Sequence, residues 1–226
     1  MDQILVYADS LSWGIVPGSR RRFTFDKRWP GIVELTLLKA GLMVRVIEDC
    51  LNGRRTLWED PIKPGRKGLD GLEQRIEVNS PLSLVVILLG TNDFQSMHQN
   101  TAVQSARGLG ALVAAIRRAP IEPGMKVPPI LLVSPPVIVK AQGEIAAKFQ
   151  GAEVKAAGLT DAIRDMAESS DCHFFDAGSV TSTSRVDGVH LDEDQHRTLG
   201  LALAKEIGQI LTSGSNRTGD VDLAEA

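Results

Sequence analysis

The sequence predicts an α/β fold: one three-layer α/β/α domain built around a doubly wound, five-stranded parallel sheet. Two observations carry that expectation. Short aliphatic runs alternate with longer segments of helical period, and such alternation places a parallel sheet between two helical layers through right-handed crossovers. The run LSLVVILLG at 82–90 is apolar on both faces, as a strand covered by helices above and below must be.

The strands are expected, in order, at ILVY (4–7), MVRVI (43–47), LSLVVILLG (82–90), ILLVS (130–134) and HFFD (173–176). A helix is expected over IVELTLLKA, bracketed by Pro30 near its first turn and Gly41 after its end, the asymmetry that helix termini favour. LDGLEQRIEV, TAVQSARGLGALVAAIRRA, AEVKAAGLTDAIRDMAES and DEDQHRTLGLALAKEIGQIL each repeat apolar residues at threes and fours, the mark of a helix with one buried face. In the last, Asp192 and Gln195 have the spacing of a capping box, starting the helix two residues past His190. Residues 135–150 (PPVIVKAQGEIAAKFQ) read as a loop or short helix over a pocket. Residues 213–226 lose all periodicity, so the domain is expected to span 1–212 and to end in a polar, mobile tail.

Bulk properties narrow the function classes. With 226 residues and 43% hydrophobic content, one domain can bury a substantial core. A net charge of −3 gives no general attraction to nucleic acid or to an acidic membrane. Arg20-Arg21-Arg22 and Arg54-Arg55 read as solvated surface. No apolar run approaches the roughly 18 residues of a membrane span, and no basic segment followed by an apolar one opens the chain, which points to the cytoplasm. Cys50 and Cys172 read as reduced thiols, and no zinc ligand set stands out.

Open α/β sheets bind ligands beyond the carboxyl ends of their strands. Asp9-Ser10 follows the first strand, Asn52-Gly53 the second, Gly90-Thr91-Asn92-Asp93 the third, and Asp187-Gly188-Val189-His190 lies in the loop after the fifth. All four clusters fall on one edge of the sheet. A Ser hydroxyl is a weak nucleophile until a base takes its proton, and His is suited to that near neutrality. His190 is the candidate base for Ser10, and Asp187, three residues earlier across a glycine, can fold back to hold the other ring nitrogen. The Ser10 and Gly53 backbone N–H groups and the Asn92 amide could converge on an oxyanion. Each element alone reads as a cap, a turn or a surface His; the conjunction carries the expectation. His173 falls in a strand, His98 in a polar loop, and His196 on the last helix with its ring expected in solvent. Asp9 is expected to brace its turn through backbone N–H groups.

These blocks resemble a known family. ADSLSWG (8–14), LNG (51–53), GTND (90–93) and DGVHL (187–191) are similar, in order, to the first, second, third and fifth blocks of the SGNH (GDSL-type) hydrolases. The resemblance implies the flavodoxin-like SGNH fold, with Ser10 as nucleophile, Gly53 and Asn92 as oxyanion donors and His190 as base. LLGTND, VSPP (133–136) and FFDAGSV (174–180) resemble the bacterial arylesterases and acyltransferases within it. That likeness implies short-chain or aryl ester substrates, no cofactor, and a homo-oligomer; some relatives pass the acyl group to alcohols or peroxide. Leu11, Trp13, Thr91, Phe149 and Val189 are the candidate pocket residues. Ala8 stands where the family has Gly, which is harmless at negative φ and would cost about 1 kcal/mol or more at positive φ. A carbohydrate deacetylase or thioesterase would use the same residues. A non-catalytic flavodoxin-like binding module is the other class, but ADSLSWG lacks a glycine-rich phosphate loop and sets the acidic Asp9 there.

Overall fold

In the computed structural model, which describes residues 1–19 and 21–216, five parallel strands lie in the order β2-β1-β3-β4-β5. They are β1 (Asp2–Ala8), β2 (Val44–Cys50), β3 (Leu84–Leu88), β4 (Ile130–Ser134) and β5 (His173–Asp176). Seven helices accompany them among the described residues: α1 (Ser10–Trp13), α2 (Trp29–Lys39), α3 (Leu72–Asn79), α4 (Ala102–Arg117), α5 (Ala152–Lys155), α6 (Leu159–Ser169) and α7 (Glu193–Asn216). The order of strands reverses direction between β1 and β3, and that is where an open α/β sheet leaves a crevice for a ligand.

Successive strand residues point to opposite faces, and the sheet is buried on both. Leu5 and Tyr7 of β1 with Val85 and Ile87 of β3 enter one core, shared with Leu72 and Ile76 of α3 and with apolar residues of α4 and α6. Ile4 and Val6 with Leu84 and Val86 enter the other, shared with Val33 and Leu37 of α2 and Leu199 and Leu203 of α7. This two-sided burial is why β3 reads as an unbroken apolar run.

Local side-chain caps set some of the helix starts. Thr101 and Gln104 form a reciprocal capping box at the start of α4. At α7 the Gln195 Oε1 accepts from the Asp192 N–H at 2.8 Å, but the Asp192 carboxylate receives the Ser184 hydroxyl at 2.9 Å, so half of the expected box is spent on a tertiary contact. The helix expected over 152–169 is two, α5 and α6, because Gly158 takes a left-handed conformation (φ 80°) as the N-cap of α6. α7 continues to Asn216, four residues past the expected domain end at 212, and residues 217–226 of the expected tail, like Arg20, lie outside the described residues. No helix among the described residues is long and apolar enough to cross a membrane.

α2 and α7 approach closely at Gly200, where a Cβ would lie 2.8 Å from the Ile32 Cβ and 3.1 Å from the Trp29 carbonyl oxygen. Gly200→Val is therefore expected to force these helices apart and to destabilise the fold by about 1–3 kcal/mol, the usual scale of overpacking. A thermal unfolding curve with an unchanged midpoint would contradict that contact.

Candidate active site

β1 delivers the chain to a polar corner. Asp9 caps α1, its Oδ1 accepting from the Leu11 N–H at 3.0 Å, and Ser10 is the first residue of that short helix. Such a first-turn N–H has no intrahelical acceptor. The Trp29 indole donates to the Ser12 hydroxyl at 3.1 Å, tying α1 to α2. From the other end of the chain, the loop before α7 brings His190 Nε2 to 3.2 Å from Ser10 Oγ. His190 Nδ1 lies 2.7 Å from Asp187 Oδ2. The Asp187 Oδ1 accepts from the Val189 and His190 N–H groups at 3.0 and 2.9 Å, so one carboxylate holds both the turn and the ring. Gly188 makes the turn possible: its φ is 77°, and a Cβ there would sit 2.7 Å from the Lys140 carbonyl oxygen. Burial pushes the Asp187 carboxyl up, but the hydrogen bond and charge of His190 with the two backbone donors outweigh it and leave it below its ordinary value. A carboxylate on Nδ1 fixes the tautomer that leaves Nε2 free to accept a hydroxyl proton.

Gly53 and Asn92 line the same cavity as Ser10, Asp187 and His190, a space of about 430 Å³. Gly53 turns the chain after β2 with φ 83°. A Cβ there would meet only Arg66 side-chain atoms, at 3.8 Å and beyond, so the positive φ, not crowding, is what excludes other residues. Among the described residues the Gly53 N–H has no acceptor. Asn92 sits in a 3-10 turn (Thr91–Phe94) after β3. Its Nδ2 donates to Asp9 Oδ2 at 2.8 Å and its Oδ1 accepts from Gln95 Nε2 at 2.7 Å. Asp9 thus braces two donors, Leu11 N–H and the Asn92 amide, rather than backbone alone. Burial pushes the Asp9 carboxyl up to about 6, against the opposing pull of the Leu11 N–H, His190 and Asn92.

Residues 9–198 match the GDSL-like lipase/acylhydrolase family. The chain belongs to that family. No curated protein matches it significantly, but solved structures do. An aryl esterase from M. smegmatis, in an inhibitor-bound form, is 34% identical with a TM-score of 0.88, covering 93% of this chain and 100% of its own. A carbohydrate acetylesterase family member from Sinorhizobium meliloti is also 34% identical, with a TM-score of 0.87 over 94% of this chain and 100% of its own. A second carbohydrate acetylesterase from the same organism is 29% identical, with a TM-score of 0.86 over 93% and 100%. These relatives place the GDSL-like chain among hydrolases that act on esters. The alanine at the family's first glycine is unstrained: Ala8 is a buried strand residue, and Asp171 is the non-glycine residue at positive φ among those described.

Of the residues expected in the pocket of this GDSL-like protein, Phe149 lines the cavity, together with Ile15 and Ile145, which the sequence did not single out. The other four do not line it. Leu11 and Val189 are fully buried in the two cores on either side of the sheet. Their neighbours Ser10 and His190 face the cavity, and adjacent residues in a helical turn or tight loop point elsewhere. Thr91 is buried beside Asn92. Trp13 lies under the Arg22 guanidinium, 4.7 Å from its ring centroid.

Other expectations need correction. His196 is not solvated: it is fully buried, its Nδ1 accepts from the Trp29 N–H at 3.4 Å, and burial, with the charges of Arg28 and His190, pushes its pKa down to about 3. Its ring occupies the buried stripe of α7, three residues before Leu199. Arg54 and Arg55 are not surface residues either. Arg54 donates to the Ala8 carbonyl at 2.9 Å and to Asp49 Oδ1 at 2.6 Å, and stacks 3.8 Å from the Tyr7 ring centroid. Arg55 is fully buried and ion-paired with Asp60 at 3.0 Å. Asp93, fully buried, accepts from the Thr56 N–H and hydroxyl at 2.9 and 2.8 Å and from the Ser105 hydroxyl at 2.6 Å. That bond set fastens the Gly53 loop to β3 and α4, and burial pushes its carboxyl up to about 6. Cys50 and Cys172 are free.

Proposed function

We propose that this protein hydrolyses short-chain or aryl carboxylic esters through an acyl-enzyme on Ser10. The observation that carries the reading is the chain of contacts Ser10 Oγ, His190 Nε2, His190 Nδ1, Asp187 Oδ2 at 3.2 and 2.7 Å, on a cavity that Gly53 and Asn92 share. In the first half-reaction Ser10 Oγ attacks the ester carbonyl carbon while His190 Nε2 takes its proton. The carbonyl oxygen, now negative, accepts from the Ser10 and Gly53 N–H groups and the Asn92 amide. His190 returns the proton to the leaving alcohol oxygen as the ester C–O bond breaks. In the second half-reaction water attacks the acyl carbon, His190 again takes and returns a proton, and Ser10 is released. An alcohol or peroxide in place of that water gives acyl transfer by the same steps, none of which needs a cofactor.

A cavity of about 430 Å³ is at the small end of ligand pockets. It suits a short acyl group with an aryl leaving group against Ile15, Ile145 and Phe149. Asn52, Asp60 and Gln142 also line it and favour a second reading, an acetyl ester of a hydroxyl-bearing sugar. Rates on p-nitrophenyl acetate, butyrate and octanoate, and on an acetylated monosaccharide, separate the two. The expected order is acetate, then butyrate, then octanoate, with aryl acetate ahead of sugar acetate. Octanoate as the best substrate would overturn the short-chain reading, and a faster sugar acetate would select the second.

A further inference from the structure

Asn92 can serve an oxyanion only with its amide nitrogen, and an amide has two faces of nearly equal shape. Its orientation is therefore a matter of which partners meet each end. On the nitrogen side stands the Asp9 carboxylate, an acceptor, at 2.8 Å. On the oxygen side stands Gln95 Nε2, a donor, at 2.7 Å. Gln95 is itself an amide that could turn over, but its Oε1 faces the Arg55 Nη2. A guanidinium has donors and no acceptor, so Gln95 must give Arg55 its oxygen and Asn92 its nitrogen. Arg55 is held in turn by the Asp60 carboxylate, at 3.0 Å. A buried row of four groups thus runs Arg55, Gln95, Asn92, Asp9, with ends whose polarity is fixed by their chemistry. Gln95 and Arg55 are fully buried and Asn92 is 2% exposed, so no bulk water can take the place of a missing partner, and an orphaned amide group would bear its full desolvation penalty.

We propose that Gln95, oriented by the buried Arg55, is a positioning residue that fixes which face of the Asn92 amide is presented to the reacting carbonyl oxygen. The proposal rests on the esterase reading above. Asn92 Nδ2 has two hydrogens; one is committed to Asp9, and Gln95 keeps the other on the cavity side by blocking rotation of the amide. Removing Gln95 leaves Asp9 alone to hold the amide, so Asn92 loses its second anchor and its free hydrogen can swing off the position that the negative oxygen will take.

Gln95→Glu is the sharpest variant, because it preserves shape and the Arg55 contact while setting an acceptor against the Asn92 oxygen. In this variant kcat on p-nitrophenyl acetate is expected to fall by between about tenfold and the roughly 10²–10³ that loss of an oxyanion donor brings, with KM little changed. The same substitution made on top of Asn92→Ala is expected to lower kcat no further. An equal loss in both backgrounds would show a merely structural role, and full activity in Gln95→Glu would overturn the proposal. Should that variant fail to fold, Gln95→Leu is read in the same cycle. Side-chain amide NMR gives a readout apart from activity: the Asn92 NH₂ pair, identified by its loss in Asn92→Ala, is expected to shift or broaden in the Gln95 variants, and an unmoved pair would equally sink the assignment. If wild type hydrolyses no ester while the Asn92 signals respond as expected, the esterase reading fails and the positioning of the amide stands.

Discussion

Replacing Ser10 with alanine is expected to lower hydrolysis of p-nitrophenyl acetate by about 10⁶ in kcat, the scale on which removing a nucleophile acts when it works as a unit with its base. The fold should not notice. The side-chain oxygen has one partner, His190 Nε2 at 3.2 Å, and that ring nitrogen faces a cavity that water can enter. The backbone of the corner is held by other groups: Asp9 on the Leu11 N–H, Trp29 on the Ser12 hydroxyl, and Arg54 on the Ala8 carbonyl. Equal melting points for wild type and variant, with loss of both turnover and fluorophosphonate labelling, are the expected pair of results. His190→Ala should lose as much, and the double variant hardly more, since each residue is useless without the other. Wild-type turnover in Ser10→Ala would remove the nucleophile assignment at once.

How much of this was legible in the sequence depends on how far apart the partners lie along the chain. β4 and β5 fall on the expected residues because short apolar runs between polar stretches leave few other boundaries. The strand-end placement of Ser10, Gly53, Asn92 and His190 followed from the period of the elements alone. The double helix at 152–169 did not, since the apolar spacing persists across Gly158 and only the backbone conformation breaks there. Arg54-Arg55 looked like surface because their acceptors come from remote positions: Ala8 is 46 residues from Arg54, and Gln95 is 40 from Arg55. Nothing local marks such a pair as buried. His196 was different, because a signal existed. It lies three, seven and eleven residues before Leu199, Leu203 and Ile207, on the apolar stripe of α7, and helical spacing alone puts it inside.

Asp187→Asn is expected to lower kcat by roughly 10⁴ while leaving the loop folded, through the tautomer of one ring. The Asp187 Oδ1 holds two backbone N–H groups, at 3.0 and 2.9 Å, and an asparagine can satisfy both only by putting its oxygen there. Its amide nitrogen then meets His190 Nδ1 at the position where Oδ2 now lies, 2.7 Å away. Two donors cannot face each other, so Nδ1 must give up its proton and Nε2 must carry one. The ring would then offer Ser10 a donor where an acceptor is needed, and the hydroxyl proton would have nowhere to go. Imidazole nitrogen shifts in NMR should report the exchange of tautomers alongside the fall in kcat, and a variant with the wild-type tautomer and full activity would refute the role. Stability gives an independent check. The folded Asp187 carboxyl lies below its ordinary value, so its charge stabilises the fold at pH above the unfolded value, about 3.9, and that stabilisation is lost as pH falls through the folded one. Wild type should therefore exceed Asp187→Asn in melting point at neutral pH, and the gap should close on acidification below about pH 4. A gap independent of pH would mean that shape, not charge, is what Asp187 gives this loop.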